Sequence, residues 1–349
     1  MDEDKLPAMQ VAPGERVSRA AQTEAARRFA QGYASQQRGE RAQAAACYAA
    51  GLALAPTDSN VWRQYLLTLR QLGRLEDALA ASETALEYLP TNAALWEERA
   101  ALLLSLNRDD EAIAACERTL TLNGKSSTLW HTYGRALASA DHYDKAIVAY
   151  NRALYLDRRN PYIWINRARA YRLLRRYDQA LASAQRAIQI APGGMDAWDG
   201  LGHVYLAQEQ FHAALEVYTL IIIACERTEQ PVHHVIVTNR GVALMGLKRY
   251  NEALFAFEQA LALDPSALAW NNVAAALILL GRSDEALQHL ERALELNPAF
   301  THAWGSKGEA LVALQRPQEA LAALDEALKR DAVYGLSLIH ISEPTRQAE

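Results

Sequence analysis

The chain has 349 residues, half of them hydrophobic, with a formal net charge of −5 and a pI near 6.0. That length accommodates two globular cores or one elongated array, and the charge gives no overall positive field to hold a nucleic-acid backbone. Alanine and leucine dominate over 17 glycines and 11 prolines, which points to an all-α fold, and three distant cysteines, Cys47, Cys116 and Cys225, fit a reducing compartment.

At the N-terminus, Met1-Asp2-Glu3-Asp4 puts acid where a signal peptide needs base. The longest apolar run, Leu220 to Cys225, is far short of the roughly 20 residues that span a bilayer. A cytoplasmic protein with neither a membrane nor a nucleic-acid partner is expected. Residues 1–22 carry no periodic pattern and are expected to form a flexible arm.

From 23 to 335 one period organises the sequence. Trp62, Trp96, Trp130, Trp164 and Trp198 stand 34 residues apart, and Trp270 and Trp304 continue the ladder after a longer step in which Val237 takes the tryptophan's place. Sixteen residues after each anchor stands an alanine: Ala78, Ala112, Ala146, Ala180, Ala214, Ala253, Ala286 and Ala320. Counting back from Trp62 reaches Arg28 and Ala44, so nine repeats are expected. Four residues after the anchor the side chain is small (Ala100, Gly134, Ala168, Gly202, Gly241, Ala274, Gly308), with Leu66 the exception. Pro56, Pro90, Pro192, Pro265 and Pro298 end their repeats, since proline cannot continue a helix. Each indole is expected to pack between paired helices, with truncation to alanine costing about 3–5 kcal/mol.

The step from Trp198 to Trp270 contains five extra residues, so an irregular junction is expected at 220–236. Residues 336–349 leave the register, and Leu336 to Arg346 resemble a translated sequencing adaptor. They are read as a non-native read-through tail, beyond which the natural protein is expected to continue.

With tryptophan at position 4 of a 34-residue unit, a small residue at 8, an aromatic near 17, alanine at 20 and proline at 32, the sequence resembles the tetratricopeptide repeat. The resemblance covers about residues 25 to 334. It implies two antiparallel helices per repeat, stacked into a right-handed α-solenoid superhelix, and a concave groove lined mainly by the first helices. It also implies a scaffold for protein–protein interaction.

No glycine-rich phosphate loop, Cys-x-x-Cys, His-Glu-x-x-His or Gly-x-Ser-x-Gly is present. No catalytic residue, cofactor or metal is expected. The pair His233-His234 has no evident third ligand, and Asp109, Asp110 and Glu111 suit a helix N-terminus.

Groove specificity is expected from two features. Asn166, Asn239 and Asn272 share position 6 and resemble, incompletely, the asparagine ladder of the O-linked N-acetylglucosamine transferase repeats. There, side-chain amides hold the backbone of an extended peptide. Arg135 and Arg169 share position 9, with Arg172 one turn beyond. They form either a basic spot for an acidic peptide or salt bridges to neighbours such as Asp196 and Asp199. The lysine and asparagine pattern of a C-terminal carboxylate clamp is not met. The leading expectation is an adaptor that binds an extended protein or peptide segment, with self-association through an uncapped last hairpin as a further one. The alternative is the substrate-recruiting region of a larger enzyme, a glycosyltransferase, protease or kinase.

Overall fold

The computed structural model describes residues 6–330. Their regular structure is entirely α-helical and falls into nine hairpins. In chain order these are α1 (Arg19–Gln37) with α2 (Arg41–Leu54), α3 (Ser59–Gln71) with α4 (Leu75–Tyr88), and α5 (Ala93–Ser105) with α6 (Asp109–Leu122). Next come α7 (Ser127–Ser139) with α8 (Tyr143–Leu156) and α9 (Pro161–Leu173) with α10 (Tyr177–Ile190). The last four hairpins are α11 (Met195–Ala207) with α12 (Phe211–Arg227), α13 (His234–Gly246) with α14 (Tyr250–Leu263), α15 (Ala267–Leu279) with α16 (Ser283–Leu296), and α17 (Thr301–Ala313) with α18 (Pro317–Arg330).

Local chemistry sets the helix ends. Asp58, Asn92, Ser126, Asn160 and Ser266 each cap a first helix by accepting a hydrogen bond from a backbone N–H of its opening turn. Pro56, Pro90, Pro192, Pro265 and Pro298 all lie two residues past the end of a second helix. Inside every hairpin, position 15 is left-handed: Gly39, Gly73, Asn107, Asp141, Arg175, Glu209, Lys248, Gly281 and Gln315 have φ between 56° and 79°. That recurrence confirms the ninefold count from backbone geometry alone.

The alanine ladder is the floor of the packing. Ala44, Ala78, Ala112, Ala146, Ala180, Ala214, Ala253 and Ala286 are fully buried, and Ala320 nearly so. Position 8 is small because an aromatic ring from the second helix lies over it. A Cβ on Gly134 would meet the Tyr150 ring at 2.5 Å, one on Gly202 the Tyr218 ring at 2.6 Å, and one on Gly241 the Phe257 ring at 2.4 Å. Size is exchanged between the two positions, for where Leu66 replaces the small residue, the residue sixteen further on is the buried Ser82.

The tryptophans do more than fill space. Only Trp62 is fully buried, and six of the seven act as stitches. The indole N–H donates to the carbonyl six residues earlier, at Pro56, Pro90, Gly124, Arg158, Pro192 and Pro298, over 2.8 to 3.0 Å. Each such bond closes the turn that enters its repeat. Among the tryptophans Trp270 instead stacks on His289, with ring centroids 5.2 Å apart.

The chain divides into two compact units, residues 1–190 and 191–349. In the first, α1–α10 stack in sequence and α3, α5 and α7 also touch their successors among the first helices. The described part of the N-terminal segment, from residue 6, contacts the first two hairpins. Its Gln10 N–H donates to Ala53 O (2.9 Å), Val11 O accepts from the Tyr88 hydroxyl (2.6 Å), Leu6 and Met9 pack on the core, and α1 starts at Arg19 behind the cap Ser18. In the second unit, the extra residues of the long step lengthen α12 to 17 residues, against 14 for α10 and α14, and extend its exit across 228–233. The proposed read-through tail, 336–349, lies outside the described residues.

Candidate peptide-binding site

Helix α9 presents Asn166, Arg169, Ala170 and Leu173 along one stripe, because residues three, four and seven apart share a face. This stripe borders a cleft of about 380 Å³ whose other walls come from α7, α8 and the turns at Asn107 and Asp141. Arg135 of α7, one period before Arg169, lines the same cleft. Both guanidiniums are exposed, and neither forms an ion pair among the described residues.

His131 anchors the cleft from below. Its imidazole is largely desolvated, which pushes its pKa down to about 4, and the Arg135 guanidinium adds to the shift. The ring is therefore neutral near pH 7, and its Nε2 accepts from the Asn166 side-chain amide at 2.7 Å. That bond orients Asn166 and leaves its carbonyl oxygen as an acceptor. On the opposite wall, Tyr143 donates to the Asp141 carboxylate, and this bond together with burial raises the phenol's pKa. Burial raises the Tyr150 phenol too. Arg172 does not line the cleft, although its charge, with that of Arg169, acts on the Tyr143 phenol in the opposite sense.

Four of the six residues singled out from the sequence, Arg135, Asn166, Arg169 and Arg172, thus lie in the first unit, and three of them border one cleft. Asn239 and Asn272 belong to the second unit. Asn239 is buried, with its amide 3.4 Å from Asp199 Oδ1 and 3.5 Å from His203 Nε2. Asn272 makes no side-chain hydrogen bond among the described residues.

A register rule underlies these contacts: a position-6 side chain reaches position 5 of the preceding repeat. It joins Asn166 to His131 and Asn239 to Asp199, and it places Glu98 3.8 Å from Arg63. Sequence reasoning passed over His131, Tyr143 and Tyr150. The signal for His131 was its place directly after Trp130, one register step from Asn166.

Elsewhere, His233 caps α13 and His234 Nδ1 lies 3.5 Å from Asp264. Among the described residues no group of three His, Cys, Asp or Glu side chains is arranged to hold a metal. Burial pushes the Cys116 thiol up to about 12. No described helix is long and apolar enough to cross a membrane.

Tetratricopeptide repeat models match residues 66–127, 127–160, 161–193, 238–266, 267–300 and 301–334. No curated protein sequence matches the chain. Among solved structures, the APC/C hetero-tetramer Cut9–Hcn1 is similar at a TM-score of 0.61 and 19% identity, over 81% of this chain and 55% of that one. This chain therefore spans about half the length of that relative. A tetratricopeptide repeat protein from Parabacteroides merdae is similar at 0.59 and 14% identity, over 72% of this chain and 98% of the other. At such identities the likeness speaks to the fold, and it agrees with the hairpins, the buried alanine ladder and the matched repeats: the chain belongs to the tetratricopeptide repeat family, as an all-α repeat solenoid.

Proposed function

We propose that this array is a protein-interaction scaffold that binds an extended acidic peptide segment, with the cleft bordered by Arg135, Asn166 and Arg169 as its centre. The observation that carries the reading is the pair of guanidiniums set one repeat apart on α7 and α9, with no carboxylate of their own. A guanidinium fork recognises a carboxylate bidentately. Two forks on successive first helices suit two acidic side chains on one strand of peptide. Between them the Asn166 carbonyl oxygen, held by its bond to His131, accepts from a peptide N–H. Tyr150 and Leu173 supply apolar wall beneath the guest. The reading includes a cytoplasmic location and a role as scaffold rather than catalyst.

Fluorescence anisotropy with labelled acidic peptides, and with the same peptides carrying Gln for Glu, tests the reading. The acidic series binds in a salt-sensitive manner, and Arg135→Ala with Arg169→Ala weakens it at least tenfold. Affinity indifferent to both the peptide charge and the two arginines would place the centre elsewhere.

A further inference from the structure

Helix α9 carries a second polar stripe, Trp164 and Arg167, roughly 140° around its axis from the stripe of Asn166 and Leu173, at 100° per residue. It faces a separate cleft of about 370 Å³ bounded by the second helices α8 and α10. Three arginines line this cleft, Arg158, Arg167 and Arg186, with Asn151, Tyr155 and Trp164 between them and no carboxylate. None of the three forms an ion pair among the described residues. Arg167 lies over the Trp164 ring at 4.3 Å and donates to Asn151 Oδ1 at 2.8 Å and to Ser183 Oγ at 3.2 Å.

The repeats provide an internal comparison. Position 7 reaches back sixteen residues to the second helix of the preceding repeat. Arg99 pairs with Glu83 at 2.9 Å, the Tyr133 hydroxyl donates to Glu117 at 3.0 Å, and Arg167 meets the neutral Asn151. Two repeats earlier, the equivalent cleft is lined by Arg99 and Arg118, the counterparts of Arg167 and Arg186, and by Glu83, Glu87 and Glu111. At the places of Glu83 and Glu87 stand Asn151 and Tyr155. The arginines are retained, their carboxylates are gone, and Arg158 is added, in a chain whose net charge is negative. Burial without a compensating anion also pushes the Arg167 guanidinium's pKa down.

We propose that this cleft binds a phosphate group, free or esterified to a peptide side chain, whose oxygens take the place of the carboxylate that Asn151 does not supply. Guanidinium forks match phosphate oxygens in pairs, and a phosphate carries up to two negative charges near pH 7 against the single charge of a carboxylate. Three arginines without a carboxylate partner accommodate that dianion, Arg186 donating otherwise only to the neutral Gln189 Oε1 at 2.8 Å. Tyr155, 69% exposed, stands at the rim, where the group carrying the phosphate would emerge. The site is independent of the acidic-peptide cleft, since the two use different stripes of α9.

Titration calorimetry of the full chain at low salt, with inorganic phosphate, with a short phosphoserine peptide and with its glutamate counterpart, tests the assignment. Saturable binding of phosphate or phosphopeptide is expected, at least tenfold weakened by Asn151→Glu, which restores the carboxylate of the earlier repeats, and kept by Asn151→Gln. Arg186→Gln weakens it as well, and circular dichroism checks that each variant is folded. A phosphopeptide at least tenfold tighter than inorganic phosphate identifies a phosphorylated chain as the source, and equal affinities identify a free phosphate. Absence of saturable binding, binding indifferent to Asn151→Glu, or a glutamate peptide that binds as well as the phosphopeptide would overturn the proposal.

Discussion

Asn166 and His131, 35 residues apart in the chain, are joined amide to imidazole across two stacked helices at 2.7 Å. The bond exists only while the ring is neutral, because a protonated imidazole has no lone pair to accept with. The pKa of His131 is about 4 in the folded protein, below its ordinary 6.5. Between those values the unfolded chain binds the extra proton, so stability contributed by the neutral ring is present above pH 6.5 and is lost as pH falls towards 4. The loss is on the order of 3 kcal/mol at most. Urea unfolding at pH 7, 5.5 and 4.5 should show it, and His131→Gln, which can still accept from Asn166, should flatten the dependence.

The Gly134 and Tyr150 pair makes a steric prediction. A Cβ at 134 would sit 2.5 Å from the Tyr150 ring, in a hairpin whose alanine ladder leaves no slack. Gly134→Ala should destabilise by about 1–3 kcal/mol. Adding Tyr150→Leu should recover part of that loss, because Ala274 and Leu290, both fully buried, occupy the same two positions in their own repeat. A double-mutant cycle by thermal denaturation measures the coupling.

Backbone strain at the hairpin turns can be relieved. Glu209 occupies the left-handed region with φ 58°, where Gly281 occupies the equivalent position of its own repeat at φ 75°. Glu209→Gly should raise stability by about 0.5–1 kcal/mol, and Gly281→Ala should lower it by about 1 kcal/mol. Opposite shifts in the urea midpoint are the expected readout. Equal effects of the two substitutions would show that the turn tolerates side chains freely.

The indole stitches separate one tryptophan from the rest. Trp164→Phe removes a bond to Arg158 O of 3.0 Å and leaves that turn without its donor, at a cost of about 1 kcal/mol. Trp270 makes no such bond, so Trp270→Phe should cost less. Chemical denaturation of the two variants side by side compares them.

Much of the architecture was legible in one sequence because its determinants are short in range or repeat identically. The tryptophan anchors, the prolines that end the second helices and the alanine rungs each act within a single hairpin or the turn that enters it. Counting them by 34 was enough to place nine repeats, the long step before Val237, and even the exceptional Leu66, whose partner Ser82 lies at a constant offset. The arginines at position 9 were legible for the same reason, since one period carries Arg135 onto Arg169.

Contacts between repeats were decided by the tertiary structure. Asn166, Asn239 and Asn272 share a position in the sequence, yet the first bonds to His131, the second is buried against Asp199 and His203, and the third has neither contact. The partner at position 5 of the preceding repeat changes from one stack to the next, and only the stacking of helices brings it within hydrogen-bond range. The N-terminal segment shows the same limit: nothing periodic marks residues 6–12, and their order comes from Ala53 and Tyr88, which are distant in the chain and adjacent only after α2 and α4 have packed. The sequence by itself determined the hairpin and its period, because those follow from helix propensity, turn chemistry and side-chain size. The tertiary structure decided which charges are paired and which remain for a partner, because that depends on what each side chain meets across the stack.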